Sequence, residues 1–167
     1  MGTSRSRRSC LAVPGSSVKM LGKAQGLPAD MVFLDLEDAV APLAKPDARK
    51  NIVAALNEGD WAGKTRTVRV NDLTTSCTYR DVVEVVEGAG ANLDCIMLPK
   101  VQGADQIAWL DLTLTQIEKT IGLPVGAIGI EAQIENAPGH VRAAVVHANH
   151  HAPAVLDVRH PQAGAEG

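Results

Sequence analysis

Residues 31–40 read Met31, Val32, Phe33, Leu34, Asp35, Leu36, Glu37, Asp38, Ala39, Val40: a short apolar run of strand length that ends in three carboxylates within four positions. Like charges crowded at the end of a buried element repel one another and lose hydration unless a cation, an arginine or a shared proton compensates them. The stretch therefore reads as a buried strand delivering acids to a candidate site. A solvated acidic loop is the plainer alternative, and this stretch alone leaves both open.

Similar apolar runs recur at residues 10–13, 67–70, 93–98 and 127–134, and between them residues 17–25, 44–56, 79–87 and 104–121 carry helical spacing. The second helix is opened by Pro46 in its first turn and closed near Gly59. Strands of continuous hydrophobicity alternating with helices predict an α/β fold, its parallel sheet covered by helices. Strand starts lie about 30 residues apart, so eight units would need roughly 240 residues, the usual size of a (β/α)8 barrel, and about five of the eight are supplied. Two architectures fit: a partial (β/α)8 TIM-type barrel, or a complete five-stranded doubly wound domain.

Composition narrows the classes of function. The 167 residues suffice for one domain with a real core, built from Val, Ile, Leu and Ala because only 2% of residues are aromatic. A net charge of −3 and the scarcity of aromatic platforms argue against a general nucleic-acid binder. No apolar run is long enough to span a bilayer. Cys10, Cys77 and Cys95 are odd in number and widely spaced, which predicts reduced thiols in the cytoplasm rather than disulfides or a zinc site. All five histidines, His140, His147, His150, His151 and His160, follow Gly139. Helical spacing would put His147 and His151 on one face, yet no cysteine or patterned acid supports a metal site there. The abrupt change predicts that residues 140–167 form an atypical tail, disordered or read from a shifted frame, behind a domain of residues 1–139.

Charged side chains recur at the carboxyl ends of the predicted strands, where barrels place catalytic groups. After the first strand, Pro14 and Gly15 turn into a helix bearing Lys19 and Lys23 one turn apart. Two ammonium groups beside the free N–H groups of a helix start suit a phosphate or diphosphate; an ordinary solvated helix face is the alternative. Arg69 lies inside the apolar third strand, where its fork requires a carboxylate, either a substrate's or that of a neighbouring acid such as Glu37. The fourth strand ends in Pro99 and Lys100. Glu131, Gln133 and Glu135 alternate along the fifth, which predicts one shared, inward face that is expensive unless it binds something.

Taken in order, Arg8-Ser9 leading to Val13-Pro14-Gly15, Asp35-Leu36-Glu37-Asp38-Ala39-Val40 with Lys45 and Ala48-Arg49, Val68-Arg69-Val70-Asn71, Met97-Leu98-Pro99-Lys100-Val101 and Ile134-Glu135-Asn136-Ala137-Pro138-Gly139 resemble the citrate lyase beta subunit-like (HpcH/HpaI aldolase) family. The likeness covers roughly residues 7–139. It implies a (β/α)8 barrel, usually trimeric, that cleaves or forms a C–C bond in β-hydroxyacyl-CoA thioesters such as citryl-CoA or malyl-CoA with Mg²⁺, giving acetyl-CoA and an oxo-acid. By that resemblance Glu135 is a metal ligand that also meets the substrate, and Arg69 holds the oxo-acid carboxylate. Glu37 and Asp38 order metal-bound water beside Arg69 in the catalytic group, and Lys19 and Lys23 meet coenzyme A phosphates. The chemistry accords with the residues, because such a cleavage develops charge on oxygen that a hard cation and a fixed guanidinium stabilise.

In the family a second acidic metal ligand follows the next strand and further strands close the barrel, whereas the residues after Gly139 show neither. Ala12 also stands where many relatives carry an aromatic residue beside the coenzyme. The expectation is an incomplete, poorly active chain. Two other readings stay open: a metal-dependent aldolase acting on a free oxo-acid, and a non-catalytic protein that binds acyl-CoA or assembles with complete subunits.

Overall fold

The apolar runs give each short strand a face that must be covered, and four helices cover it. The computed structural model describes residues 7–135 and the backbone of residues 156–157. The elements run β1 (Cys10–Pro14), α1 (Val18–Gln25), β2 (Met31–Asp35), α2 (Lys45–Glu58), β3 (Thr65–Arg69), α3 (Thr78–Ala89), β4 (Cys95–Leu98), α4 (Ala104–Ile121), β5 (Gly129–Ala132) and β6 (Leu156–Asp157). Strands β1 to β5 are parallel and neighbour one another in sequence order. That order progresses in one direction, as in a barrel, whereas a doubly wound sheet must reverse at a switch point. The fold is thus the partial (β/α)8 barrel, and the doubly wound alternative falls. The two-residue β6 pairs antiparallel with β5, in a stretch where no element was expected. The rest of the expected tail, with His147, His150 and His151, lies outside the described residues.

Register separates the two faces. Val13, Leu34, Val68, Ile96 and Ile130 lie side by side across the sheet and are all buried in one apolar cluster with Leu21, Ile52, Val82, Val86, Leu110 and Leu114 of the helices. The next row, Pro14, Asp35, Arg69, Met97 and Glu131, belongs to the opposite face, toward the barrel interior. Among the described residues no helix is long and apolar enough to cross a membrane.

Local chemistry sets the element ends. Ser17 caps α1 by accepting a hydrogen bond from Met20 N–H at 3.3 Å. Helix α4 stops at Gly122, whose φ of 77° is left-handed, and the buried Glu118 carboxylate accepts the N–H groups of Gly126 and Ile128 at 2.9 Å, steering the chain into β5. At Gly15 a side chain has no room: a Cβ would stand 2.6 Å from Ile52 Cδ1 and 2.9 Å from the Asp35 carbonyl. The Gly15 N–H donates to that carbonyl at 2.9 Å, joining the ends of β1 and β2.

Behind the sheet, α2 and α3 carry a buried polar chain. The Lys45 ammonium donates to the carbonyls of Leu36 at 2.8 Å and Glu37 at 3.1 Å, and to Asn71 Oδ1. Asn71 Nδ2 donates to Asp81 Oδ2 at 2.6 Å, and Arg49 pairs with Asp81 at 3.0 Å and with Glu84 at 2.7 Å. Removing one partner of such a group strands the others away from water. We expect Asp81→Ala to cost about 3–5 kcal/mol in urea denaturation; a loss below about 1 kcal/mol, the scale of an exposed pair, would show that the network carries no structural weight.

Candidate active site

The carboxyl ends of the strands bring the sequence's charged residues together around Asp35 and Arg69. These two are register partners, and the Arg69 Nε and Nη2 atoms each donate to one Asp35 oxygen at 2.8 Å. The fork thus closes on Asp35 rather than on Glu37, the acid singled out as its structural rival. Glu37 is 3.4 Å from Nη1 of the same guanidinium. The Phe33 ring lies beneath Arg69, 5.1 Å from the guanidinium carbon to the centroid, and adds a cation–π contact.

Asp35 also builds the turn that follows it. Its two oxygens accept the N–H groups of Glu37 at 2.9 Å and Ala39 at 3.0 Å. Glu37 is directed inward, with 4% of its side chain exposed, and its Oε1 meets Lys100 Nζ at 2.7 Å. Asp38 points the other way: its side chain is 70% exposed and reaches Lys100 only at 3.8 Å. Asp72, after β3, stands 3.9 Å from the same ammonium.

Glu135 joins from the segment that follows β5. Strand β5 ends at Ala132, so Glu131 stays in the inward row while Gln133 and Glu135 lie beyond the regular strand, and the expected three-residue alternation fails at its end. Glu135 Oε1 accepts the Lys100 backbone N–H and Oε2 accepts Gln133 Nε2, both at 3.2 Å. Glu131 pairs with Arg7 at 3.7 Å. Lys19 and Lys23 are both exposed. Only Lys19 lies at the start of α1; Lys23 occupies its last turn, where the dipole favours the cation itself rather than a bound phosphate. A cleft of about 520 Å³ lined by Arg8, Asp30 and Lys64 lies at the opposite end of the sheet, before the strands begin, and Arg8 and Asp30 already pair there.

Sequence reasoning missed Asp35 as the anchor of Arg69, Lys100 as the bridge between Glu37 and Glu135, and the supporting Asn71 and Asp81. Lys45 and Arg49, one turn apart, were the available signal for the last two.

Among the described residues no three potential ligands gather tightly enough to hold a metal by themselves. The donor chemistry nevertheless suits a hard divalent cation. Glu135 is an exposed carboxylate, and beside it the Gln133 Oε1 is buried and has no hydrogen-bond partner among the described residues. Mg²⁺ is commonly held by one or two carboxylates with water and substrate completing its shell.

Two neighbouring acids are displaced in opposite directions. Burial pushes the Asp35 carboxyl up, but the Arg69 fork and the two backbone N–H groups outweigh it and hold Asp35 below its usual range. At Glu37 burial dominates and raises the value, against the pull of Lys100 and Arg69. A depressed acid contributes stability that is complete above the unfolded chain's value of about 4 and is lost as pH falls through the folded one. The chain is therefore expected to lose stability below about pH 4, with Asp35→Asn flattening that acid limb in urea titrations. An identical limb in the variant would remove Asp35 as its source.

The comparisons with known proteins bear on the family and the fold. The family model described as HpcH/HpaI aldolase/citrate lyase matches residues 8–155. The chain is 44% identical over 135 residues to the L-malyl-CoA/beta-methylmalyl-CoA lyase of Cereibacter sphaeroides, covering 81% of this chain and 42% of that protein. It is 37% identical over 143 residues to the citrate lyase subunit beta of Leuconostoc mesenteroides, covering 86% of this chain and 46% of that protein. The structure of the protein CitE from Mycobacterium tuberculosis in complex with magnesium and pyruvate superposes with a TM-score of 0.62 at 29% identity, over 85% of this chain and 51% of that one. The chain spans about half the length of the curated relatives it matches. With most of its residues matched by the family model and the barrel order in its strands, the chain belongs to the HpcH/HpaI aldolase/citrate lyase family.

Proposed function

We propose that the chain carries the first five β/α units and part of the active site of a carbon–carbon lyase acting on a β-hydroxyacyl-CoA of the malyl-CoA or citryl-CoA type. The observation that supports this reading most is the meeting of Arg69, Glu37, Lys100 and Glu135 at the ends of four successive strands, in a chain whose relatives include a malyl-CoA lyase. In cleavage of malyl-CoA the hydroxyl loses its proton and becomes the carbonyl of glyoxylate. The C–C bonding pair passes to the carbon beside the thioester, which takes up a proton to give acetyl-CoA.

Arg69 is suited to hold the oxo-acid carboxylate. Asp35 consumes the Nε–Nη2 edge, and the Nη1–Nη2 edge keeps N–H groups for a second fork once Glu37 yields its 3.4 Å contact. Glu135, with the neighbouring Gln133 oxygen, would hold Mg²⁺. A cation bound there would supply Lewis-acid stabilisation of charge developing on the substrate oxygens. In this reading Glu37 and the exposed Asp38, which meet the Lys100 ammonium, would order metal-bound water. Lys19 and Lys23 would meet coenzyme A phosphates, and a trimeric, cytoplasmic assembly belongs to the same reading. The position of Lys23 in the last turn of α1 favours, as a second reading, an aldolase acting on a free oxo-acid.

Calorimetry with glyoxylate and Mg²⁺ is expected to show binding that weakens at least roughly tenfold in Arg69→Lys, where the planar fork is lost. Absence of glyoxylate binding by the wild-type chain would sink the lyase and aldolase readings together. Coenzyme A binding separates those two. The double variant Lys19→Ala, Lys23→Ala should bind it several-fold more weakly under the first, and an unchanged affinity favours the free-acid aldolase. Acetyl-CoA release from malyl-CoA by the chain is expected to be slow and Mg²⁺-dependent.

A further inference from the structure

Lys100 is the only residue other than glycine with a positive φ, 54°, among the described residues. A side chain in that left-handed region is strained, and such strain persists only where its surroundings over-determine it. They do so here. Leu98 O accepts the Gln133 N–H at 2.9 Å, and the Val101 N–H donates to Gln133 O at 3.1 Å. Both flanks of Pro99–Lys100 are thus pinned to one residue, Gln133, just past the end of β5, and the dipeptide between them is extruded as a bulge. The consequence is a residue that touches both acids of the candidate site: its ammonium meets Glu37, and its backbone N–H meets Glu135.

We propose that Lys100 is a positioning residue that keeps Glu37 out of the coordination shell of a divalent cation held at Glu135, leaving that ion's remaining positions to water and substrate. The proposal rests on the cation site of the preceding section. Lys100 spans from Glu135, at its backbone N–H, to Glu37, at its ammonium, so a Glu37 carboxylate released from that ammonium is a candidate ligand for an ion held at Glu135, with Arg69 at 3.4 Å as its remaining cation. The ammonium at 2.7 Å occupies that carboxylate instead, with Asp38 at 3.8 Å and Asp72 at 3.9 Å adding to the hold on Lys100. Because the bulge also aims the Lys100 N–H at Glu135, the same strained residue orients the acid that binds the ion and withholds the one that does not. An extra carboxylate ligand would fill a position an oxo-acid needs.

Mn²⁺ binding to the 167-residue chain, followed by electron paramagnetic resonance and by water-proton relaxation, tests this. Lys100→Gly and Lys100→Asn both tolerate the left-handed backbone and keep the N–H, so one serves if the other folds poorly. Each is expected to bind Mn²⁺ roughly tenfold more tightly, the scale of one unit charge removed from a screened site. Each should also show lower relaxation enhancement per bound ion as Glu37 displaces a water. Lys100→Arg should restore wild-type affinity and enhancement. A purely structural role would move the melting temperature and leave the enhancement per ion alone. Unchanged or looser Mn²⁺ binding in the Gly and Asn variants, with wild-type enhancement, overturns the role given to Lys100 while leaving the cation site standing. Failure of the wild-type chain to take up Mn²⁺ overturns the cation site, and this proposal with it.

Discussion

The Asp35 carboxylate is the point on which the rest of the site depends. Its two oxygens accept four hydrogen bonds: two from Arg69 and one each from the N–H groups of Glu37 and Ala39. A carboxylate offers about four acceptor positions, so this one is saturated. Saturation explains how a charge can be only 1% exposed without becoming neutral. It also means that one group fixes three things at once: the tilt of the guanidinium, the path of the turn after β2, and the inward direction of Glu37. Losing it would leave Arg69, with 12% of its side chain exposed, without its main counter-charge.

The turn at residues 36–39 has no regular structure of its own, yet it is gripped from both sides of the sheet. On the interior face Asp35 takes its N–H groups. On the helix face Lys45 takes the carbonyls of Leu36 and Glu37, and Asn71 Nδ2 adds a bond to the Leu36 carbonyl at 3.0 Å. Backbone donors and acceptors of the same four residues are thus satisfied by different elements, β2 on one side and α2 with the end of β3 on the other. A polar network buried behind an apolar sheet is costly in desolvation, and an all-apolar packing of the same volume would serve stability as well or better. What apolar packing cannot do is fix the carbonyl directions of a turn, and that is the work these residues perform.

How much of this was legible follows from what each level of sequence encodes. The strands and helices were readable because apolar runs of strand length and helical spacing report burial: Val68 and Ile96 lie in such runs, Leu110 and Leu114 in a helical stretch, and all four are buried in the core. Position along the chain was legible too: Glu37 and Lys100 fall just past strand ends as read, while Arg69, read as lying inside the third strand, is its last residue. Pairing was not. That Arg69 stands beside Asp35 depends on the β2–β3 register, which is set by packing across the sheet and has no one-residue signature. Asp81 was hidden for another reason. An acid in the first turn of a helix reads as a surface residue favoured by the dipole, and only its complete burial against Arg49 and Asn71 reveals otherwise. Lys23 reads from the sequence as lying near a helix start, but α1 is eight residues long, so a residue one turn on is already in its last turn.

Electrostatic balance ties these observations to the proposed chemistry. Asp35, Glu37, Asp38, Asp72 and Glu135 converge on Arg69 and Lys100, five carboxylates against two cations. Beyond its fork on Asp35, Arg69 reaches Glu37 at 3.4 Å, and the Lys100 ammonium is left to meet Glu37, Asp38 and Asp72. Part of that imbalance appears in Glu37, whose carboxyl is raised although two cations touch it, because burial outweighs them. Part is relieved by solvent at Asp38. The remainder falls at Glu135, whose two oxygens have, among the described residues, only neutral donors, the Lys100 N–H and the Gln133 amide. A neutral donor is a weak partner for a carboxylate compared with a cation. Of the five acids, Glu135 is therefore the one with most to gain from a positive charge, which is the role the proposed reading gives it.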